Sequence, residues 1–201
     1  MGINKTIKGY IRLNATAYYT YLVDAIIRTD YTLNGSDSLE YDGEMYKIIT
    51  NTNASKAFIR GLSFNLRSDF NSDFHFLSTL NFTRGRELSM DEPMPHIPPV
   101  FGKTSFTYTL KSFYCDFNIN YNGWKKLEDF SPLGEDNESE ATIYGSPAWF
   151  TLNLQTSYKI NKIFRIQFAV ENILDAFYKP FASGVSAPGR NFIITLRAEI
   201  N

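Results

Sequence analysis

The chain has 201 residues and a formal net charge of -1, so it lacks the basic surplus that nucleic acid demands, and no nucleic-acid partner is expected. Hydrophobic residues make up 43% of it, yet no run of ~18 apolar residues occurs; membrane-spanning helices are excluded, while alternating strands would escape this test. Aromatic residues reach 16%, more than strand propensity alone explains and consistent with rings gathered at the two interfaces of a bilayer.

In chain order, the first predicted strand covers residues 10–27, with Ile11, Leu13, Ala15, Ala17, Tyr19 and Tyr21 on one face and Arg12, Asn14, Thr16, Tyr18 and Thr20 on the other. A polar segment, residues 29–53, holds the turn signals Asn34-Gly35 and Asp42-Gly43. The second strand, 56–68, alternates Leu62, Phe64 and Leu66 with Ser63, Asn65 and Arg67, and a short turn near 71–73 leads to a third at 74–83. Residues 84–99 carry four prolines and cannot form a central strand.

The fourth and fifth strands are 104–110 and 113–121, joined at Lys111-Ser112. The single cysteine, Cys115, falls on the apolar face of the fifth and reads as a small packing residue. A loop of roughly 25 residues follows, far longer than usual. The last three strands are 150–160, 164–171 and 192–201, each alternating strictly and each charged in mid-strand on its polar face.

These runs are close to the ~9–11 residues a tilted strand needs to cross a bilayer. Their connections alternate short and long, as in outer-membrane barrels with tight inner turns and long outer loops. The expected fold is all-β: an antiparallel meander of about eight strands, part of a transmembrane barrel with its apolar face to lipid and its polar face to a wet lumen. A soluble β-rich module remains an alternative, provided the apolar faces meet in a core.

Glu171-Asn172-Ile173-Leu174-Asp175, then Tyr178, then Ala187-Pro188-Gly189-Arg190-Asn191-Phe192 and a closing alternating strand resemble the C-terminal signature of TonB-dependent outer-membrane receptors. Pro95-His96-Ile97-Pro98-Pro99 and Ser146-Pro147-Ala148-Trp149-Phe150 are similar to that family's pattern before its strands. By this resemblance Asn172, Asp175, Pro188, Gly189, Arg190 and Phe192 are motif positions. Two features depart from the pattern: the end is Ile200-Asn201 where an aromatic is usual, and the family has ~22 strands around a plug.

The resemblance implies that residues 1–201 are the C-terminal segment of a Gram-negative outer-membrane receptor, without its plug domain and N-terminal strands. No charged-then-apolar leader is visible at the start, as expected of a chain that begins inside a longer one. The implied function is energy-coupled uptake of a scarce solute: siderophore-iron, haem, cobalamin or a glycan. Implied partners are outer-membrane lipid, the plug and remaining strands, the TonB complex through the missing part, and an unknown small solute. The alternative is a complete eight-stranded barrel serving as adhesin or anchor.

No enzyme activity, cofactor or metal site is expected, since His75 and His96 stand apart without ligand spacing. Arg84, Arg86, Trp124 and Tyr144 lie in or beside the long loops and are the ligand-binding candidates. The acidic run of residues 135–140 reads either as a calcium ligand set or as a solvated loop tip.

Overall fold

The computed structural model describes residues 1–132 and 136–199. Its strands are β1 (Gly2–Ile7), β2 (Ile11–Asp30), β3 (Ser38–Tyr41), β4 (Glu44–Lys47), β5 (Ile49–Asp69), β6 (Phe74–Glu87), β7 (Glu92–Pro93), β8 (Phe101–Leu110), β9 (Phe113–Asn122), β10 (Trp149–Lys159), β11 (Phe164–Glu171) and β12 (Asn191–Ala198). The main sheet runs β1-β2-β5-β6-β8-β9-β10-β11-β12, every neighbour antiparallel, with β7 beside β6. Among the described residues β1 pairs only with β2 and β12 only with β11, so the barrel is not closed.

All eight expected strands are present over the described residues, with Ile200 and Asn201 of the last lying outside them; β6 runs on to Glu87, into the segment expected to stay out of the sheet, because the first proline comes only at Pro93, and three further features extend the sheet. β1 is an additional strand; Lys5, between Ile3 and Ile7 on its apolar face, blurs the period that betrays the others. β5 starts at Ile49 instead of residue 56, and its ladder with β2 runs from Ile11↔Ser68 to Asp30↔Ile49. At ~3.3 Å per residue this ribbon reaches roughly 65 Å, about twice a ~30 Å hydrocarbon layer. The Asp42-Gly43 signal turns a small hairpin, β3–β4, at its end, and Lys47 Nζ pairs with Asp30 at 2.7 Å.

Short turns join the strands at one end, and asparagine side chains set two of them. Asn71 Oδ1 accepts from the N–H groups of Asp73 and Phe74, and Asn161 Oδ1 from those of Ile163 and Phe164. These are asparagine-capped turns, which hold the register on either side. All long connections leave from the opposite end.

The register puts Leu62, Phe64, Leu80, Phe82, Phe106, Tyr108, Phe150, Ile166, Phe168, Phe192 and Ile194 on one face, every one of them exposed. Just Ala57 and Phe130 are buried apolar residues among those described. The soluble-module alternative required these rings to meet in a core, and they do not. A face this apolar and this open matches a surface whose solvent is lipid.

Candidate functional site

The polar face carries a hydrogen-bond chain across three strands, β8, β9 and β10, to the start of the loop after β11. Asp116 of β9 accepts from Ser105 Oγ, from Thr107 Oγ1 at 2.9 Å and from Asn118 Nδ2 at 2.8 Å. Asn153 Nδ2 donates to Asn118 Oδ1 at 3.1 Å, and Asn153 Oδ1 accepts from the backbone N–H of Asn172 at 2.9 Å. Ser105, Asp116, Asn118, Thr151 and Asn172 are buried, and a connected network of this kind fixes rotamers that would be costly to leave unpaired. Above it lies a polar hollow of about 360 Å³ lined by Lys103, Asn120, Gln155, Glu171 and Tyr178 among others.

Asn172 ends that chain and begins the loop after β11. At φ 49 it turns the backbone left-handed, its Oδ1 accepts from Ala176 N–H, and its Nδ2 donates to the carbonyls of Ala176 and Pro188. Asp175 Oδ1 accepts from Arg190 N–H at 2.7 Å, and Arg190 Nε donates to Ile173 O at 2.8 Å. A Cβ on Gly189 would stand 2.7 Å from Asp175 Oδ1, so a larger residue there would push the Asp175 carboxylate from its place beside Arg190 N–H. The structure thus brings Asn172, Asp175, Pro188, Gly189 and Arg190 together as a staple of the loop's two ends, while Phe192 stands on the apolar face, 63% exposed.

Three long loops meet over Lys125. Its ammonium donates to Ile97 O at 2.5 Å, lies 3.8 Å from Asp136 Oδ2, and sits over the rings of Phe181 (4.4 Å) and Phe130 (5.7 Å). Asp136 in turn accepts from the backbone N–H groups of His96 (2.7 Å) and Ser131 (2.9 Å). Lys125 is 4% and Asp136 1% exposed. Burial pushes the lysine below its ordinary pKa, and the neighbouring Asp136 and Asp129 carboxylates oppose that shift.

The acidic run divides: Glu138, Ser139 and Glu140 are exposed, as a solvated loop tip requires, while Asp136 departs from that reading. Asp136 is committed to the interior, Glu140 pairs with Lys179 at 2.5 Å, and Glu135 lies outside the described residues. The loop core was hidden because Lys125 and Asp136 sit in a stretch of surface-like composition, and the two rings that cover the lysine, Phe130 and Phe181, do not stand out from the other aromatic residues of the same loops.

The four ligand-binding candidates divide between places. Tyr18 Oη of β2 meets Thr83 Oγ1 at 2.7 Å, which puts Thr83 on the polar face. Arg84 and Arg86 therefore share the face of Phe82, away from the hollow, with Arg84 opposite Arg60 and Arg86 opposite Phe58. Arg86 Nε donates to Asp91 Oδ1 and holds that carboxyl below its ordinary pKa. Trp124 lines a cleft of about 190 Å³ with Phe82, Arg84, Arg86 and Pro98, and its Nε1–H donates to Tyr144 O at 2.8 Å.

The architecture is that of solved transporters and receptors. The copper transporter OprC superposes with a TM-score of 0.77 at 16% identity, covering 98% of this chain and 31% of that one. The siderophore receptor PirA from Acinetobacter baumannii gives 0.72 at 18%, and the ferric enterobactin receptor PfeA from Pseudomonas aeruginosa 0.70 at 17%; each covers 98% of this chain and 30% of the other. The chain thus spans under a third of their length, and at such identities the likeness speaks for fold alone. No curated protein sequence matches it. The model of the TonB dependent receptor-like β-barrel matches residues 2–173, and the chain belongs to that family.

Proposed function

We propose that residues 1–201 form the C-terminal segment of a TonB-dependent outer-membrane receptor whose complete form has a plug domain and further N-terminal strands. The receptor takes up a scarce solute, siderophore-bound iron, haem, cobalamin or a glycan, driven through the plug by the TonB complex. The observation that carries this reading is the pairing of a lipid-ready apolar face with a hydrogen-bonded polar face on an open sheet. The open edges at β1 and β12 weigh against a complete eight-stranded barrel, because unpaired backbone groups cannot stand in lipid. The long loops gathered on Lys125 then form part of the outer vestibule, where Trp124 and Tyr144 are candidates for the first contact with solute.

The test is uptake by cells carrying or lacking the complete receptor, with labelled ferric siderophores, haem, cobalamin and oligosaccharides, each with and without TonB. Accumulation of one class that needs both receptor and TonB is expected. Equal accumulation of all of them without the receptor overturns the proposal.

A further inference from the structure

The ribbon of β2 and β5 outlasts the sheet around it. β6 leaves β5 at Ala57↔Glu87, with one last bond from Leu88 N–H to Lys56 O at 3.0 Å, whereas β2 stays paired as far as Ile49. From Ser68 to Asn53 the strand climbs roughly 50 Å, which a tilt of ~40° converts to ~38 Å of height, clear of a ~25 Å apolar band. Residues 49–53 therefore stand in water, with one side of the strand bare among the described residues. Tyr31 N–H donates to Ile48 O across the ribbon, and by the alternation of an antiparallel ladder the N–H and C=O groups of Ile49, Asn51 and Asn53 point away from β2, to the bare side.

A bare edge is a template for another strand, and proteins guard theirs with charge, proline or a bulge. β2 carries Asp24, Arg28 and Asp30 along this stretch, but Ile49, Thr50, Asn51, Thr52 and Asn53 bring neither charge nor proline. Asn51 also lines a cleft of about 260 Å³ whose walls are Ile26, Ile27, Pro93, Met94 and Pro95, with Glu92 beside them. Strand addition takes its affinity from backbone hydrogen bonds and its selectivity from such side-chain pockets. Beyond the edge, residues 24–47 hold six carboxylates and two cations, and the hairpin exposes Tyr41 and Tyr46, with Tyr46 Oη donating to Glu44 at 3.1 Å. Carboxylates and ring faces together suit lysine and arginine.

We infer that the bare edge of β5 at residues 49–53 receives an extended, lysine- or arginine-bearing segment of a second protein outside the membrane, which adds as one more strand and seats an apolar side chain in the cleft beside Asn51. A second copy of this chain fits less well, because it brings an equally acidic arm to the same edge and like charges repel. The inference rests on the outward placement of the long connections in the receptor reading and is independent of the solute.

The complete receptor in detergent is titrated with a fluorescent peptide of alternating lysine and valine, about ten residues long. The same peptide N-methylated at every second residue, so that one edge has no donors, and a glutamate–valine counterpart are the comparisons. The lysine peptide is expected to bind and the other two about tenfold or more weakly, and hydrogen exchange should slow at Ile49, Asn51 and Asn53 when it binds. Asn51→Pro removes one outward N–H and leaves the ladder to β2 whole, so it should lose most of the binding while folding and uptake stay as in the parent. Equal binding of the three peptides, no binding, or protection away from β5 overturns the inference. Amides of Ile49, Asn51 and Asn53 already protected in the receptor alone overturn it in favour of another loop of the receptor on this edge, and a receptor dimer that the peptide dissociates overturns it in favour of a second copy. Should Asn51→Pro fail to fold, the N-methylated peptide decides on the unmodified receptor. Uptake is read separately: a receptor that transports without binding the peptide loses this inference alone, and one that binds without transporting loses the uptake reading alone.

Discussion

Tyr18 Oη and Thr83 Oγ1, on strands separated by β5, meet at 2.7 Å across the bare backbone of Gly61. The contact exists because position 61 has no side chain: a Cβ there would stand 2.3 Å from Tyr18 Oη and 2.5 Å from Phe82 O. Gly61→Ala is therefore expected to destabilise the complete receptor by ~1–3 kcal/mol, the range for overpacking. Tyr18→Phe, which removes one hydrogen bond and no volume, should cost about 1 kcal/mol. Thermal loss of the compact form on cold gels measures both, and an alanine variant as stable as the parent would refute the close approach.

Ile166 and Gln167 are neighbours on β11 with opposite surroundings. Ile166 lies between Tyr158 and Leu196 on the apolar face, Gln167 between Ser157 and Thr195 on the polar one. Ile166→Arg should cost ~2–4 kcal/mol near the midplane and Gln167→Arg far less. Folding yields into lipid that are equal for the two variants would reverse the assignment of faces.

How much of this was legible depended on whether one strand's own period carried the information. Phe164, Ile166, Phe168 and Val170 declare their face unaided, because lipid asks the same of every second residue. Gly61 could not be read as a bridge site, since its meaning comes from Tyr18 and Thr83 on two other strands. Arg84 and Arg86 were legible as cations beside a loop, but their side of the sheet needed the ladder to Arg60 and Phe58. The motif residues Asn172, Asp175 and Gly189 were visible as a pattern, and only their contacts explain why the pattern has those residue types.

Asn172 supplies three side-chain hydrogen bonds to the loop it opens. Asn172→Ala should release the loop between β11 and β12 while leaving the strands paired, at a cost of ~1–3 kcal/mol for the partners left unsatisfied. Hydrogen exchange at Ala176 N–H reads this directly. Unchanged protection there would show that the staple is redundant.

Lys125 holds three loops through one buried charge. Lys125→Ala strands Asp136 and the Ile97 carbonyl, and breaking a buried pair in this way costs ~3–5 kcal/mol, enough to open the loops locally. Lys126→Ala, whose side chain and partner Glu128 are both exposed, should change little. Proteinase K cleavage within residues 123–148 is expected to accelerate in the first variant alone; matched cleavage rates would remove Lys125 from its place as the organising residue.

The Lys179–Glu140 pair, 2.5 Å apart, ties the loop after β9 to the loop after β11. The hydrogen bond from Lys179 holds the Glu140 carboxyl below its ordinary value. A carboxylate with a lowered folded pKa contributes stability that is complete above the unfolded value, near ~4.3, and is lost as pH falls through the folded one. The tie should therefore be intact at neutral pH and weaken on acidification below that value, whereas Glu140→Gln should be loose at every pH. Because Glu140 is exposed, the effect belongs to local opening and leaves the barrel's unfolding unchanged. Hydrogen exchange at Glu140 and Ala141, corrected for its intrinsic pH dependence, separates the cases: protection that falls with pH in the parent but stays flat in the glutamine variant is expected, and parallel profiles would show that the pair carries no weight.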